Sequence, residues 1–422
     1  MLKKIPVHQV RVGMYLHALC GTSWLDHPFW KTSFVLKSPA DLDKLLQSPV
    51  KEVVIDVDKG LDVAPEPAAL SLPEVGSADD ERLRAELRTP LPDRPASPSA
   101  PRRVSLEAEV LHAQRVLTQA KTQIKHLFRQ ARLGRVVDTT PLKALAHEVS
   151  DSLERNPHAL ISLARLKTKD DYTYLHSVAV AALCAALARQ LQLSAEDVRE
   201  AALAGLLHDL GKAVIPLEIL NKPGRLTQEE FLCVQAHPRA GFEMLQRAGV
   251  RSEMALDVCL HHHEKIDGSG YPDRLSGDAI SLHAKIGAVC DVYDAITSDR
   301  PYKAGWHPAE SVRKMALWAK EGHFDERVFQ AFVKCVGIYP TGSLVRLQSG
   351  RLGVVLEQNE HSLLRPRVKV FFSTKSNTYI VPEVLDLGAA YTHDRIVGPE
   401  NPADWGISNL DALWTGLPGL AP

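Results

Sequence analysis

Residues 140–340 carry a nearly continuous helical pattern, and this stretch constrains the fold more than any other feature of the chain. Two capping boxes, Ser194-x-x-Asp197 and Thr227-x-x-Glu230, predict helix starts within it. In such a box the hydroxyl and the carboxylate each accept a hydrogen bond from a backbone N–H that the first helical turn leaves unpaired. The fold is therefore predicted to be mainly α.

The segments that flank the helical stretch have a different character. Residues 1–60 predict a small N-terminal β-containing domain with a buried strand at 51–57. Residues 61–104 are predicted to be a linker, because eight prolines in 61–101 leave too little apolar surface to form a core. Short strand candidates predict a C-terminal β elaboration over 341–390. Residues 391–422 are assigned as a tail, because their Gly, Pro and Asp content gives little signal.

Residues 105–139 are predicted to form a heptad-patterned helix. Its apolar residues step by four and three along the chain, as in an a/d seam. The seam consists of Leu106, Val110, Ala113, Leu117, Ala120, Ile124, Leu127 and Ala131. Two interpretations stay open here: a helix packed on its own domain, or a helix that forms a homodimer or transmits a signal.

Composition limits the classes of partner. The chain has 422 residues, and 50 basic against 51 acidic residues give a net charge of -1, so no global field attracts a nucleic-acid polymer or an anionic membrane. No run of 18 uncharged apolar residues predicts a membrane span. The six cysteines are scattered without a C-x-x-C pair, which favours reduced thiols. We therefore expect a cytoplasmic protein.

Histidines and aspartates cluster in the helical region at five places, which include one run of three histidines. Taken singly, each is more typical of a core residue, a helix cap or a solvated loop than of a ligand. Taken together, imidazoles and carboxylates without thiols suit Fe, Mn or Zn. The five places are His176, the pair His208-Asp209, His237, the run His261-His262-His263 and Asp291.

So many ligands exceed the needs of one metal ion but suit two ions that share a carboxylate. Two metals about 3.5–4 Å apart can activate a water as hydroxide and stabilise charge on a phosphoryl group. Lys212, one turn after His208, could pair with a phosphate oxygen or could neutralise a helix end. Arg300 and Lys303 could bind further phosphates or could be ordinary surface charges.

The order of these motifs resembles the HD-GYP domain, a subgroup of the HD-domain metal-dependent phosphohydrolases. The resemblance rests on HDLGK at 208–212, HHEKIDGSGYP at 262–272 and DVYDAITSDRPYK at 291–303, and it covers roughly residues 140–385. Residues 1–60 resemble a small domain of unassigned function that is often fused ahead of HD-GYP domains. The fold implied is an HD-type helical bundle over 140–340, with the small N-terminal domain and the short C-terminal β elaboration.

The resemblance implies a phosphodiesterase that opens cyclic di-GMP to pGpG, and many relatives continue to GMP. It implies one metal at His176, His208, Asp209 and Asp291, and a second at Asp209, His237, His262 and His263. Iron or manganese is implied as the metal. Asp209 and Lys212 would be catalytic, and the residues that bind substrate would be Lys212, Gly270, Tyr271, Arg300 and Lys303. The loop that contains Tyr271 would also contact GGDEF-domain cyclases.

Two points limit this assignment. Some relatives use a glutamate four residues before the first ligand histidine to hold a third metal; Tyr172 occupies that position here, so two metals are expected. His261 is an additional histidine, and the ligand pair starts at either His261 or His262. The alternative functions are a cyclic-di-GMP receptor or adaptor with negligible turnover, and an HD phosphohydrolase of another nucleotide.

Overall fold

The structure, a computed structural model, divides the chain into two compact units, Met1–Thr89 and Pro90–Pro422. The residues that it describes are 2–7, 10–20, 34–36, 38, 42, 45, 52–61, 70–71, 104–165, 172–222, 224–298, 305–359 and 361–416. The predicted linker lies almost wholly outside these ranges, and the predicted domain boundaries stay predictions.

The described part of the first unit is an antiparallel sheet with strand order β3-β2-β4-β1-β5. Its strands are β1 Leu2–Pro6, β2 Tyr15–Cys20, β3 Phe34–Val35, β4 Glu52–Asp56 and β5 Leu70–Ser71. β4 confirms the strand that was predicted over 51–57, and its Val53 and Ile55 are fully buried beside Ile5 of β1 and Leu16 of β2.

The second unit is a helical bundle followed by a small sheet, so the predicted mainly-α class is confirmed. A 3₁₀ segment, Leu210–Val214, lies between α5 and α6. The helices are α1 Leu106–Arg132, α2 Thr140–Arg155, α3 Ala159–Arg165, α4 Tyr172–Gln190, α5 Ala195–Leu207, α6 Leu217–Leu220, α7 Gln228–Gln235, α8 His237–Arg247, α9 Glu253–His261, α10 Leu282–Thr297, α11 Pro308–Lys320, α12 Glu326–Val336 and α13 Leu410–Thr415.

The heptad seam of α1 is used within its own unit. Val110, Ala113, Ala120 and Ile124 are fully buried where α1 packs on α2, α3 and α4, and Leu117 is partly buried. This confirms the interpretation of α1 as a helix that packs on its own domain, because little of the seam is left to contact a second chain.

A buried ionic contact also ties α1 to α2. Glu109, 2% exposed, accepts hydrogen bonds from Ser152 Oγ at 2.8 Å and from Arg155 Nε at 2.9 Å and Nη2 at 3.0 Å. Removal of Glu109 would leave Ser152 and Arg155 without these hydrogen bonds, which makes the α1–α2 pairing specific.

Helix α4 lies at the centre of the bundle and brings the first candidate ligand into the interior. Its residues 176–188 are all buried, and it contacts α1, α2, α3, α5, α10 and α12. A helix that is apolar on all sides is stable only when other elements surround it. The two predicted capping boxes are both present, one at the start of α5 and one at the start of α7.

The C-terminal part of the second unit is an antiparallel sheet with strand order β10-β6-β7-β8-β9. Its strands are β6 Leu344–Leu347, β7 Arg351–Glu357, β8 Arg367–Ser373, β9 Thr378–Asp386 and β10 Ile396–Pro399. The first four confirm the predicted strand candidates. β10 lies beyond residue 390, where the sequence predicted no element, and it closes the edge of β6. None of the helices in the described ranges is both long and apolar enough to cross a bilayer.

Candidate metal centre

Seven side chains from separate elements converge on one buried point in the second unit. His176 lies in α4, the adjacent pair follows α5, His237 opens α8, the second pair follows α9 and Asp291 lies in α10. Five of the seven are at most 2% exposed. The seven are His176, His208, Asp209, His237, His262, His263 and Asp291.

One group of ligands faces a single oxygen of Asp209. We call His176, His208 and Asp291 half-site A. His176 Nε2 lies 3.4 Å and His208 Nε2 3.3 Å from Asp209 Oδ2. The same two nitrogens lie 3.0 Å and 3.7 Å from Asp291 Oδ1. Two imidazole nitrogens and two carboxylate oxygens therefore surround one position.

The other group faces the second oxygen of Asp209. We call His237, His262 and His263 half-site B. His237 Nε2 lies 3.3 Å and His262 Nε2 3.8 Å from Asp209 Oδ1, and the two ring nitrogens lie 3.3 Å apart. The ring of His263 packs beside that of His262, with centroids 4.2 Å apart. Asp209 thus lies between the half-sites with one oxygen toward each.

Two buried atoms of this cluster have no hydrogen-bond partner among the residues that the structure describes. They are His208 Nε2 and Asp209 Oδ1. A buried polar atom without a partner carries a large desolvation cost and is rare in a folded protein. Both atoms point at the centre, so imidazole nitrogen and carboxylate oxygen donors are left there for a cation. The residues present therefore fit a metal site.

In four of the histidines, a hydrogen bond at Nδ1 fixes the ring so that Nε2 faces the centre of the cluster. Three donate from Nδ1 to a backbone carbonyl: His208 to Gly205 at 2.8 Å, His237 to Val234 at 2.7 Å and His262 to Val258 at 2.9 Å. A proton on Nδ1 leaves the Nε2 lone pair available to a metal, which is the usual arrangement of ligand histidines.

A close backbone contact sets the distance between Asp209 and His237. A Cβ on Gly211 would lie 1.9 Å from the carbonyl oxygen of His237 and 2.6 Å from the backbone nitrogen of Gly241. Only glycine lets the 3₁₀ segment approach the first turn of α8 so closely. The glycine of the HDLGK motif therefore positions the ligands on either side of it.

The charges of the two half-sites differ. Burial alone would lower the pKa of His208, but the charges and hydrogen bonds of Asp209 and Asp291 together outweigh burial and raise that pKa to about 10. In half-site B, burial lowers the pKa of His262 to about 3 and that of His263 well below its usual range. Half-site A therefore pairs carboxylates with histidines that favour the protonated form, and half-site B consists of neutral imidazoles.

Lys212 lies at the edge of the cluster. Its Nζ donates to Asp209 Oδ2 at 2.5 Å, and its side chain is 23% exposed. The ammonium group is therefore held beside the shared carboxylate and still reaches solvent, where an anion can contact it.

A loop of residues 264–276, which we call the GYP loop, covers half-site B. The ring of Tyr271 packs on His263 with centroids 4.7 Å apart, and Tyr271 N donates to the carbonyl of His263 at 3.2 Å. A Cβ on Gly270 would lie 2.5 Å from Glu264 Cα, so the loop can fold back on its own start only with glycine there. Between the loop and α7 lies a groove of about 440 Å³, lined in part by Leu232, Tyr271 and Arg274.

Comparison with known proteins identifies the family to which a chain with this arrangement belongs. The HD-domain family model matches residues 148–328, and the model of a domain of unknown function, DUF3391, matches residues 2–142. A protein of Pseudomonas aeruginosa named cyclic di-GMP phosphodiesterase is 57% identical over 419 residues, which are 99% of this chain and 96% of that protein. The chain belongs to the HD-domain family.

Two further matches, one curated protein and one solved structure, share less of the chain. A 3'3'-cGAMP-specific phosphodiesterase of Vibrio cholerae is 38% identical over 42% of this chain and 41% of that protein. A solved structure, an HDG"Y"P protein of Bdellovibrio bacteriovorus, is 16% identical with a TM-score of 0.46 and covers 79% of this chain and 98% of that chain. The resemblance to HD-GYP proteins preceded by a domain of unassigned function, which the sequence motifs indicated, is confirmed.

The HD-domain bundle brings together the residues that the sequence singled out for metal binding. His262 and His263 lie in half-site B, whereas His261 lies outside it and bonds to Asp257 and Asp273. Arg300 and Lys303 lie outside the described residues.

One residue of the HD-domain site was missed by sequence reasoning. Asp294 Oδ2 lies 2.6 Å from His176 Nδ1, and both side chains are 3% exposed. His176 is therefore held by a carboxylate, whereas His208, His237 and His262 are held by backbone carbonyls. The i, i+3 spacing from Asp291 in DVYDA was the available signal, because it puts both carboxylates on one face of α10.

Proposed function

We propose that the protein is a metal-dependent phosphodiesterase that hydrolyses cyclic di-GMP. The observation that carries the proposal is Asp209, whose two oxygens face two separate sets of buried imidazoles. The full-length relative with 57% identity is named for this activity, which supports the choice of substrate. The HD-domain family and the unpartnered donor atoms at the centre support a hydrolytic metal site.

The cofactor is proposed to be two divalent metal ions, iron or manganese. His176, His208 and Asp291 would hold one ion, and His237, His262 and His263 would hold the other, with Asp209 shared between them. Mixed imidazole and carboxylate ligands without thiolates suit these metals. When bound, such a pair supplies Lewis acidity and an activated water at neutral pH.

The chain's own residues orient the substrate around this centre. Lys212 donates to a non-bridging oxygen of the scissile phosphate, because its ammonium group is fixed beside Asp209 and reaches solvent. Gly270 and Tyr271 form the wall of the groove beside half-site B, which receives one nucleotide half of the substrate. Arg300 and Lys303 bind the substrate phosphates; this assignment rests on the family motif.

The product, partners and location are proposed on the same basis. Hydrolysis of one ester bond opens the ring to pGpG, and a second cut to GMP would need pGpG to rebind to the same metal pair. GGDEF-domain cyclases would dock on the GYP loop, the protein would act in the cytoplasm, and a homodimer would use surfaces other than the buried seam of α1.

A second candidate substrate is another cyclic dinucleotide. The relative in Vibrio cholerae that is named for 3'3'-cGAMP shares 38% identity over the part of the chain that contains the metal centre. Metal ligands do not distinguish guanine from adenine, so the choice between these substrates depends on the groove. An alternative function is a receptor that binds cyclic di-GMP without turnover. The experiment that compares the substrates also distinguishes such a receptor from an enzyme.

Metal-replete protein is incubated with cyclic di-GMP, pGpG and 3'3'-cGAMP, and the products are resolved by chromatography. We expect pGpG from cyclic di-GMP, faster than any product from 3'3'-cGAMP. Asp209→Ala removes the shared ligand and should abolish turnover and metal loading together, whereas Asp404→Asn, at an exposed carboxylate, should match the wild type. Saturable binding without product would contradict the proposal, and so would retained turnover in Asp209→Ala.

A further inference from the structure

His261 is the one member of the three tandem histidines that lies outside the metal centre. It is the last residue of α9, and its side chain is 16% exposed. Its Nδ1 lies 2.8 Å from Asp257 Oδ1, one turn earlier on the same helix. Its Nε2 lies 3.2 Å from Asp273 Oδ2, on the GYP loop. Both ring nitrogens are therefore engaged away from the two half-sites.

These two contacts connect a rigid element to the loop. Asp257 is itself fixed by the hydroxyl of Ser281, the N-cap residue of α10, so the ring is oriented by an acceptor that cannot easily move. The two ring nitrogens of His261 thus contact carboxylate oxygens on two different elements, α9 and the GYP loop. The ring acts as a bridge with one end on the bundle and the other on Asp273.

Asp273 is held from two further directions. Its Oδ1 accepts from Arg239 Nη2 of α8 at 2.5 Å, and its backbone N–H donates to Glu264 Oε1 at 2.7 Å. Glu264, 3% exposed, also accepts from the backbone N–H of Leu275 at 3.1 Å. Two helices, α8 and α9, and the first residue of the loop itself thus fix Asp273.

Asp273 lies two residues after Tyr271, whose ring covers His263. A hold on Asp273 therefore limits how far the tyrosine can lift from half-site B and how wide the groove beside it opens. Long loops that border a site keep their geometry only where side chains tie them to the scaffold.

We propose that His261 is a positioning residue that latches the GYP loop through Asp273 and thereby sets the width of the substrate groove. It binds no metal. The consequence for substrate rests on the proposed function, whereas the latch itself does not.

The test compares His261→Phe, which keeps a ring but removes both ring nitrogens, with the wild type. The control is His361→Phe, at an exposed position between β7 and β8. Metal content, amide hydrogen exchange of the loop, and kcat and KM for cyclic di-GMP are measured on the full chain. Asp273→Asn, at the exposed end of the latch, gives a second variant that leaves α9 intact.

We expect the metal content of His261→Phe to equal that of the wild type. The amides of Asp273 and Leu275 should exchange roughly threefold to tenfold faster, because a charge-assisted but half-exposed contact is lost. KM should rise by a similar factor while kcat changes less than twofold. Asp273→Asn should also raise the loop exchange rate and KM. The double variant should raise them no further than the single variant with the larger effect, because both substitutions remove the same contact.

Three results would overturn the proposal. A loss of metal in His261→Phe would make His261 a ligand. Unchanged exchange in the loop would remove the latch, and a fall in kcat at constant KM would indicate a role in chemistry and not in loop position. If the wild type turns over no cyclic di-GMP, the proposed function fails, and the exchange and metal measurements still decide whether His261 latches the loop.

Discussion

Asp294→Asn is the substitution that most sharply separates the two half-sites. Asp294 contacts half-site A through its 2.6 Å hydrogen bond to His176 Nδ1. Asparagine keeps the shape and can still accept through its amide oxygen, but it removes a negative charge from a pair that is almost fully buried. The substitution should therefore weaken His176 as a metal ligand without moving the backbone.

The size of the effect follows from the geometry. Loss of a partner behind a ligand histidine lowers metal affinity by about 10-fold to 100-fold, which corresponds to about 1.4–2.7 kcal/mol. The upper part of this range is expected here, because the contact is short and both groups are 3% exposed. The contact of Asp294 with the cluster is through His176 of half-site A, so half-site B should keep its affinity.

The assay is a titration of metal-free protein with Mn²⁺ against a fluorescent chelator, with Asp404→Asn as the exposed control. Wild type should show two binding steps, and Asp294→Asn should shift one of them. Turnover lost at low metal should return at about 100-fold higher metal, which a misfolded variant would not do. Equal weakening of both steps, or no change in either, would refute the assignment of His176 and Asp294 to one half-site.

Two further predictions concern charge at the centre. Lys212→Met should lower kcat for cyclic di-GMP about 10²-fold to 10³-fold with metal content unchanged, since a preorganised donor to the phosphate is lost; an unchanged kcat would remove Lys212 from the reaction. Metal binding to half-site A should release at least one proton at pH 7–9, because the pKa values of His176 and His208 are both raised, that of His208 to about 10, and metal displaces the ring proton. The metal affinity of half-site A should rise with pH up to about 10. Calorimetry in buffers of different ionisation enthalpy measures both the affinity and the proton release. A pH-independent affinity would contradict the prediction.

Much of the fold could be predicted because local patterns matched the environment. The capping boxes at Ser194 and Thr227, the strand β4 and four strands of the C-terminal sheet follow from periodicity and turn chemistry. β10 could not be predicted, since its four residues carry no alternating pattern and its stability comes from pairing with β6. The partner of α1 was also open, because an a/d seam looks the same whether it faces its own domain or a second chain.

For the candidate site, the sequence motifs identify the residues, whereas their geometry depends on tertiary contacts. Residue types and order were sufficient to select His176, Asp209 and the other members of the cluster. The distribution of the two oxygens of Asp209 between half-sites depends on the close approach at Gly211, which is a tertiary contact. Asp294 and His261 were missed or left unassigned, since their roles lie in hydrogen bonds to partners more than ten residues away.

The central claim is that one carboxylate, Asp209, joins two metal positions. Crystals of metal-loaded protein, measured at the absorption edge of the bound metal, test it most directly through the anomalous difference map. The account predicts two peaks about 3.5–4 Å apart, one beside each oxygen of Asp209 and each surrounded by the ligands of its half-site. A single peak, or two peaks that do not share Asp209, would contradict it.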